Sequence, residues 1–272
     1  MKRAVFYALT FLFVQLVVTY FVCSAWLMAT GMPAATAIQT TLTGKLVFNI
    51  PMLLAANATA DVVLLFMFLK LRWCETSPKY LRTRPWTVFF WCFIAGLGTI
   101  VPAQFLQEML PELPNIAEES LKNMLTTPFG FVVICILASI VEEVVFRGAI
   151  LRSLLGWTHS LWTAIVVSAL LFAVVHMNPA QMPHAFVAGL LLGWMFCRTG
   201  SILPGILYHW VNNTFVYVWT NLMPQAADMT LRELFGGSEA RVLLALGCSL
   251  LILLPALFQL NIRMKKAGEN TK

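Results

Sequence analysis

Eight predominantly apolar runs constrain this 272-residue chain more than anything else in it. They cover about 4–30, 46–71, 86–106, 129–155, 161–177, 183–197, 202–222 and 242–262. Hydrocarbon offers a backbone amide no partner, so only helices and closed barrels span a bilayer, and continuous apolar stretches of about twenty residues suit helices. The expected fold is all-α: one integral membrane domain over residues 1–272, of about eight transmembrane helices. A chain that is 60% hydrophobic and 11% charged fits no soluble domain of this size. The first run follows Met1-Lys2-Arg3 and exceeds the core of a secretory signal, so it reads as a retained span.

The net charge of +6 invites a nucleic-acid reading, but the basic residues mostly flank the apolar runs and are topology signals, so no nucleic-acid partner is expected. Eight spans put both termini on one side. If that side is the cytoplasm, Lys2, Arg3, the basic 70–84 segment, Arg152, Arg198 and the tail with Arg263, Lys265 and Lys266 lie inside. Lys45, Lys122, Arg232 and Arg241 remain outside, the expected bias. The 107–128 connection, with Glu108, Glu112, Glu118 and Glu119, has room for a surface helix. The six cysteines form no CxxC pair and mostly sit in apolar runs, which indicates buried thiols.

The fourth run carries Ser139–Arg152, SIVEEVVFRGAILR. Each ionised side chain at mid-bilayer costs at least ~2.5–3.5 kcal/mol on insertion scales, so such groups are rare there without a task. Glu143 and Arg147 stand four apart on a helix, glutamate first, the favourable order for a pair. Glu142 lies about 100° around the helix and is poorly placed to share that arginine. One carboxylate is neutralised and the other is left for chemistry; a structural ion pair between packed helices is the alternative.

Phe172 and His176 are four apart on the fifth run, as are His209 and Asn213 on the seventh, so each pair shares a helix face. At ~1.5 Å per residue, Glu142 lies roughly 21 Å above the turn at Gly156, and His176 roughly 24 Å above the turn near Ser160. On the same count His209 and Asn213 lie roughly 14 and 20 Å above the turn at Gly200, so these groups can meet inside the membrane. His184 and His159 read as interface residues. Asp61 either lines the same cavity or bonds within a helix pair, and Gly189 with Gly193 is a packing step.

Glu142-Glu143-x-x-x-Arg147, Phe172-x-x-x-His176 and His209-x-x-x-Asn213, in this order, resemble the three motifs of the CAAX protease and bacteriocin-processing (CPBP, or Abi) family. That family includes the type II CAAX prenyl endopeptidases, the Ras-converting enzymes of eukaryotes. The resemblance covers about residues 129–219, the motif-bearing core. It implies an intramembrane endopeptidase with Glu142 as catalytic glutamate, His176 beside it, and His209 with Asn213 steadying the substrate carbonyl.

Those roles suit amide hydrolysis, which needs an activated water, a proton shuttle and donors to the oxyanion. No GxSxG, serine–histidine–acid set, membrane aspartyl pair or HExxH competes. No organic cofactor is expected. In the preferred scheme Glu142 activates water directly; the alternative makes Glu142, His176 and His209 a three-ligand zinc site. The expected partners are a peptide or membrane-protein substrate, with a leader peptide or C-terminal segment as target, and the bilayer itself. The expected location is a bacterial cytoplasmic membrane with both termini cytoplasmic. The competing functions are a non-proteolytic scaffold or bacteriocin self-immunity protein, and a proton-coupled transporter, for which the inverted repeats and broken helices are not evident.

Overall fold

The computed structural model describes residues 1–43, 49–74 and 78–266. Lys45, Glu75 and the 46–48 start of the second run lie outside the described residues. Among the described residues there are helices and no strand. The principal ones are α1 (Lys2–Ala29), α2 (Ala34–Leu42), α3 (Ile50–Lys70), α4 (Trp86–Gly98), α5 (Ile100–Glu108) and α6 (Glu118–Leu125). They continue with α7 (Pro128–Leu155), α8 (Leu161–Val174), α9 (Met182–Thr199), α10 (Leu203–Leu222) and α11 (Glu239–Arg263). By length and composition α1, α3, α4 with α5, α7 and α11 can each cross a membrane; α8 is apolar but shorter. The protein is thus an all-α polytopic membrane protein.

Local chemistry starts these helices where the apolar runs begin. Asn49, Thr127, Ser160 and Ser238 each accept a backbone N–H from the first turn of α3, α7, α8 and α11, which satisfies donors that a helix start leaves open. Proline follows the cap directly or by one residue in α3 and α7, where a missing N–H costs nothing. The surface helix expected in the 107–128 connection is α6, whereas α2 carries no sequence signal strong enough to announce it.

Several boundaries depart from the expected runs. The third run is interrupted at Thr99, between α4 and α5. Thr99 Oγ1 donates to Gly96 O and receives Tyr208 Oη and Asn212 Nδ2, while Ser249 Oγ donates to Gly98 O. Three polar groups from two other helices thus compensate the break. The fifth span ends at Val174 and not at 177, so His176 lies just beyond the helix, ahead of the Asn178-Pro179 turn.

Helix α7 is the centre of the bundle; α1, α3, α8 and α10 pack on it, while α11 packs on α4 at the periphery. It is not a regular α-helix. Phe131–Leu137 and Glu143–Leu151 are π-helical, separated by the α-helical segment Ala138–Glu142. Ala138 N bonds Val133 O, and Glu143 N bonds Ser139 O. The four amides of residues 139–142 therefore face five carbonyls, those of residues 134–138, and one carbonyl is left over. Ile134 O receives a side chain instead, the amide of Asn213 at 3.0 Å. In the second π segment Ser168 Oγ donates to Phe146 O at 3.2 Å.

Helices α7 and α10 run antiparallel, and their side chains meet in register: Gly205 beside Glu143, His209 beside both glutamates, Asn213 on Ile134 and Ser139, and Tyr217 on Thr127. This corrects the depth count. With Gly205 level with Glu143, the Gly200 turn lies roughly 12 Å deeper in the bundle than the Gly156 turn at 1.5 Å per residue. Thr199 and Ser201 there are each 1% exposed. The buried turn satisfies itself: Thr199 Oγ1 donates to Met195 O, Ser201 N to Thr199 Oγ1, and Leu203 N to Ser201 Oγ. Gly200, with φ of 67°, supplies the left-handed residue that ends α9.

Candidate active site

Glu143 and Arg147 form the buried pair that the spacing predicts. Oε1 and Nη1 are 2.7 Å apart, and the side chains are 0% and 1% exposed. Arg147 also reaches Gly189 O on α9 at 3.4 Å, and its guanidinium carbon lies 4.3 Å from the centroid of the Phe172 ring on α8. One arginine therefore ties α7 to both neighbours, and its planar head suits an ion pair and an aromatic face together. The approach of α9 depends on small residues: a Cβ at Gly189 would lie 2.9 Å from Ala169 Cβ, and one at Gly193 3.0 Å from Ile165 Cγ2. The packing role read from that glycine step holds.

Glu142, in contrast, keeps 20% of its side chain exposed. Its Oε2 faces His209 Nε2 at 3.7 Å, while His209 Nδ1 lies 3.5 Å from Glu143 Oε1. The imidazole stands between the two carboxylates, too far from either for a good direct hydrogen bond, and Nδ1 makes none. His176 Nδ1 lies 2.7 Å from Phe172 O. A carbonyl only accepts, so Nδ1 carries the hydrogen, and in the neutral ring Nε2 presents the lone pair. The Phe172 ring stands edge-on to both His176 and His209, with centroids 4.9 and 5.9 Å away. That ring explains why phenylalanine starts the second motif: it separates the two imidazoles and covers the arginine.

Asn213, expected to steady a substrate carbonyl with His209, bridges two helices. Its Nδ2 donates to Ile134 O at 3.0 Å and to Ser139 Oγ at 3.3 Å, so both amide hydrogens are engaged in holding α10 on α7. Asp61 takes the helix-pair half of its reading. It is buried, Oδ1 accepts Gln15 Nε2 at 3.2 Å across the α1–α3 contact, and it lies within electrostatic range of Glu142.

Two further residues belong to the site. His184, read above as an interface residue, interacts electrostatically with His176 and His209. Its side chain is exposed at the start of α9. The signal was the Asn178-Pro179 turn, which folds the start of α9 back onto the end of α8. Gly205 is the other: a Cβ there would lie 2.6 Å from Glu143 Oε2. It stands four residues before His209 and eight before Asn213, on the same helix stripe.

Among the described residues, no three His, Cys, Asp or Glu side chains are grouped so as to hold a metal ion. Glu142, His176 and His209, the candidate zinc ligands, form no such group, although the bond of His176 Nδ1 to a carbonyl is one that metal-ligating histidines also make.

Residues 124–215 match the family model described as type II CAAX prenyl endopeptidase, Rce1-like. The match contains all three motifs and about a third of the chain, and is consistent with an intramembrane protease of the CPBP family. No curated protein and no solved structure matches the chain.

Proposed function

We propose that this protein is an intramembrane endopeptidase in which Glu142 activates the water that cleaves a peptide bond. The observation that carries the reading is the unequal treatment of two adjacent carboxylates. Glu143 is committed to Arg147, and Glu142 is left accessible beside His209 and within electrostatic range of Asp61. Protease activity in general accords with the family match.

In the proposed reaction a water sits between Glu142 and His176 Nε2, the lone-pair nitrogen. Glu142 takes a proton from the water as its oxygen bonds to the substrate carbonyl carbon, and His209 Nε2–H donates to the resulting oxyanion. The carbonyl re-forms, the C–N bond breaks, and Glu142 delivers the proton to the departing amine. Glu143 lies 3.5 Å from Nδ1 without a hydrogen bond to it, while Asn213, through its bonds to Ile134 O and Ser139 Oγ, positions the turn of α10 that carries the ring. No step passes through a metal. The substrate we propose is a peptide segment already at the membrane, a C-terminal CAAX-type tail or a leader, because the attacking groups lie within the bundle.

Membranes expressing the wild type or Glu142→Gln, compared for released peptides by mass spectrometry, test this. The variant should fold normally and lose about 10²–10⁴-fold in cleavage, the usual worth of a general acid–base group. Wild-type cleavage by the variant would sink the assignment. Exhaustive chelation of the purified wild type should leave activity intact, with well under one zinc per chain. Stoichiometric zinc, with activity lost on chelation and restored by zinc, would make Glu142 a ligand and not the base.

A further inference from the structure

The end of the bundle that carries both described chain ends and the basic residues of 70–74 and 78–84 contains a cleft that the proposed reaction does not use. It has a volume of about 860 Å³ and lies between the start of α1, the residues following α3, and the end of α7. Lys2, Arg3, Arg72 and Arg152 line it, with Tyr7 and Trp73, and no acidic residue does so among the described residues. A topological preference for basic residues at one face explains charges on the rim, but not Lys2, Arg3 and Arg72 converging on one cavity with aromatic walls.

The backbone at Arg72 is a second observation. Helix α3 ends in a Schellman turn: Trp73 N bonds Phe68 O at 2.9 Å and Arg72 N bonds Leu69 O at 3.1 Å. The Trp73 ring closes it against Phe68 at 5.1 Å. The left-handed position of such a turn is usually glycine, yet Arg72 occupies it with φ of 55°. A non-glycine residue there persists when the surrounding structure over-determines it, as the ring contacts of Trp73 do here. Here the turn carries Arg72 and Trp73 to the cleft, and Trp73 is packed by Phe6 and Tyr7 at 5.4 and 5.0 Å.

We propose that this cleft binds a phosphate-bearing anion, the headgroup of an anionic phospholipid, with the guanidinium forks of Arg3 and Arg72 taking phosphate oxygens and the aromatic wall meeting the glycerol and upper acyl region. Arginine presents two parallel donors to a phosphate, and tyrosine and tryptophan favour the depth at which headgroups meet acyl chains. Basic pockets between transmembrane helices are suited to such headgroups.

Binding of dioctanoyl phosphatidylglycerol, dioctanoyl phosphatidylcholine and inorganic phosphate to the full-length protein in neutral detergent tests the proposal. Saturable binding of phosphatidylglycerol in preference to phosphatidylcholine is expected. Competition by millimolar inorganic phosphate at equal affinity would identify the free anion as the ligand; its failure to compete identifies the lipid. At about 1 kcal/mol per cation near the surface, each removed charge weakens binding about fivefold, and Arg3→Gln with Arg72→Gln about 30-fold. Lys79→Gln with Arg82→Gln removes the same charge at the same end but outside the cleft, and should change nothing. Arg72→Gly separates binding from folding: it relieves the left-handed strain, so thermal stability should hold or rise while binding still falls about fivefold. Absence of saturable binding by phosphatidylglycerol and phosphate alike, or equal weakening in the two double variants, overturns the proposal.

Discussion

Glu143–Arg147 and Lys122–Asp228 pair the same kinds of groups in opposite surroundings. The first pair lies at the centre of α7, 0% and 1% exposed; the second joins α6 to the connection after α10, with side chains 42% and 59% exposed. Water and salt screen the rim pair, and either partner solvates well alone. The central pair has no such refuge. Its charges were desolvated on folding, and each depends on the other, on Gly189 O and on the Phe172 ring. A buried pair is weak evidence of stability in itself, but it is unforgiving when halved, and here it also holds one glutamate still while its neighbour stays available.

The largest effect should therefore follow Arg147→Met, which strands Glu143 and should cost about 3–5 kcal/mol in unfolding measurements, with activity lost. Arg147→Lys keeps the charge but loses the planar fork and should also reduce activity. The double variant Glu143→Gln with Arg147→Met should regain part of that stability, because no charge is left unpaired. It should not regain activity, since Glu143 also faces His209 Nδ1. A double variant as active as the wild type would reduce the pair to a structural bridge.

Gly205→Ala ranks next and tests how tightly the pair is boxed. Alanine should gain roughly 0.5–1 kcal/mol in a helix interior from propensity alone. Against this, the new Cβ would meet Glu143 Oε2 at 2.6 Å, and that carboxylate is held from its other side by Arg147. Sterics win: overpacking costs about 1–3 kcal/mol, and activity should fall as the carboxylate shifts under His209. Equal or greater thermal stability would show that the carboxylate can move aside.

A third comparison lies within α7, between its two π segments. Asn213→Ala removes the donor to Ile134 O, and Ser168→Ala the donor to Phe146 O. Each leaves a carbonyl without that partner and should cost about 1–3 kcal/mol. Only Asn213 stands one turn from His209, so only Asn213→Ala should lower kcat at similar stability. Equal kinetic effects would remove the positioning role.

These residues also mark how far the sequence could be read. Apolar runs announce spans because hydrocarbon tolerates little else, and the i, i+4 motifs announce shared faces because helix geometry is local. Arg147 taking Glu143 and leaving Glu142 follows from that geometry alone. The π segments do not, because the side chains that donate to their carbonyls, Asn213 and Ser168, are distant in the chain. The interruption at Thr99 likewise depends on Tyr208, Asn212 and Ser249. Depth counting failed at Gly200 because a self-satisfied polar turn can sit inside the bundle, where hydropathy places a loop at the surface.

The smallest effect belongs to the rim. Lys122→Ala should change stability by about 0–1 kcal/mol, and any change should vanish in high salt. Here the side chains are long, solvated and flexible, so the Coulomb gain is offset by the entropy of holding them together. Activity should match the wild type. Loss of cleavage in this variant without loss of stability would mean that α6 and the connection beside Asp228 take part in catalysis or substrate entry, and would break the division between a chemically committed centre and a replaceable rim.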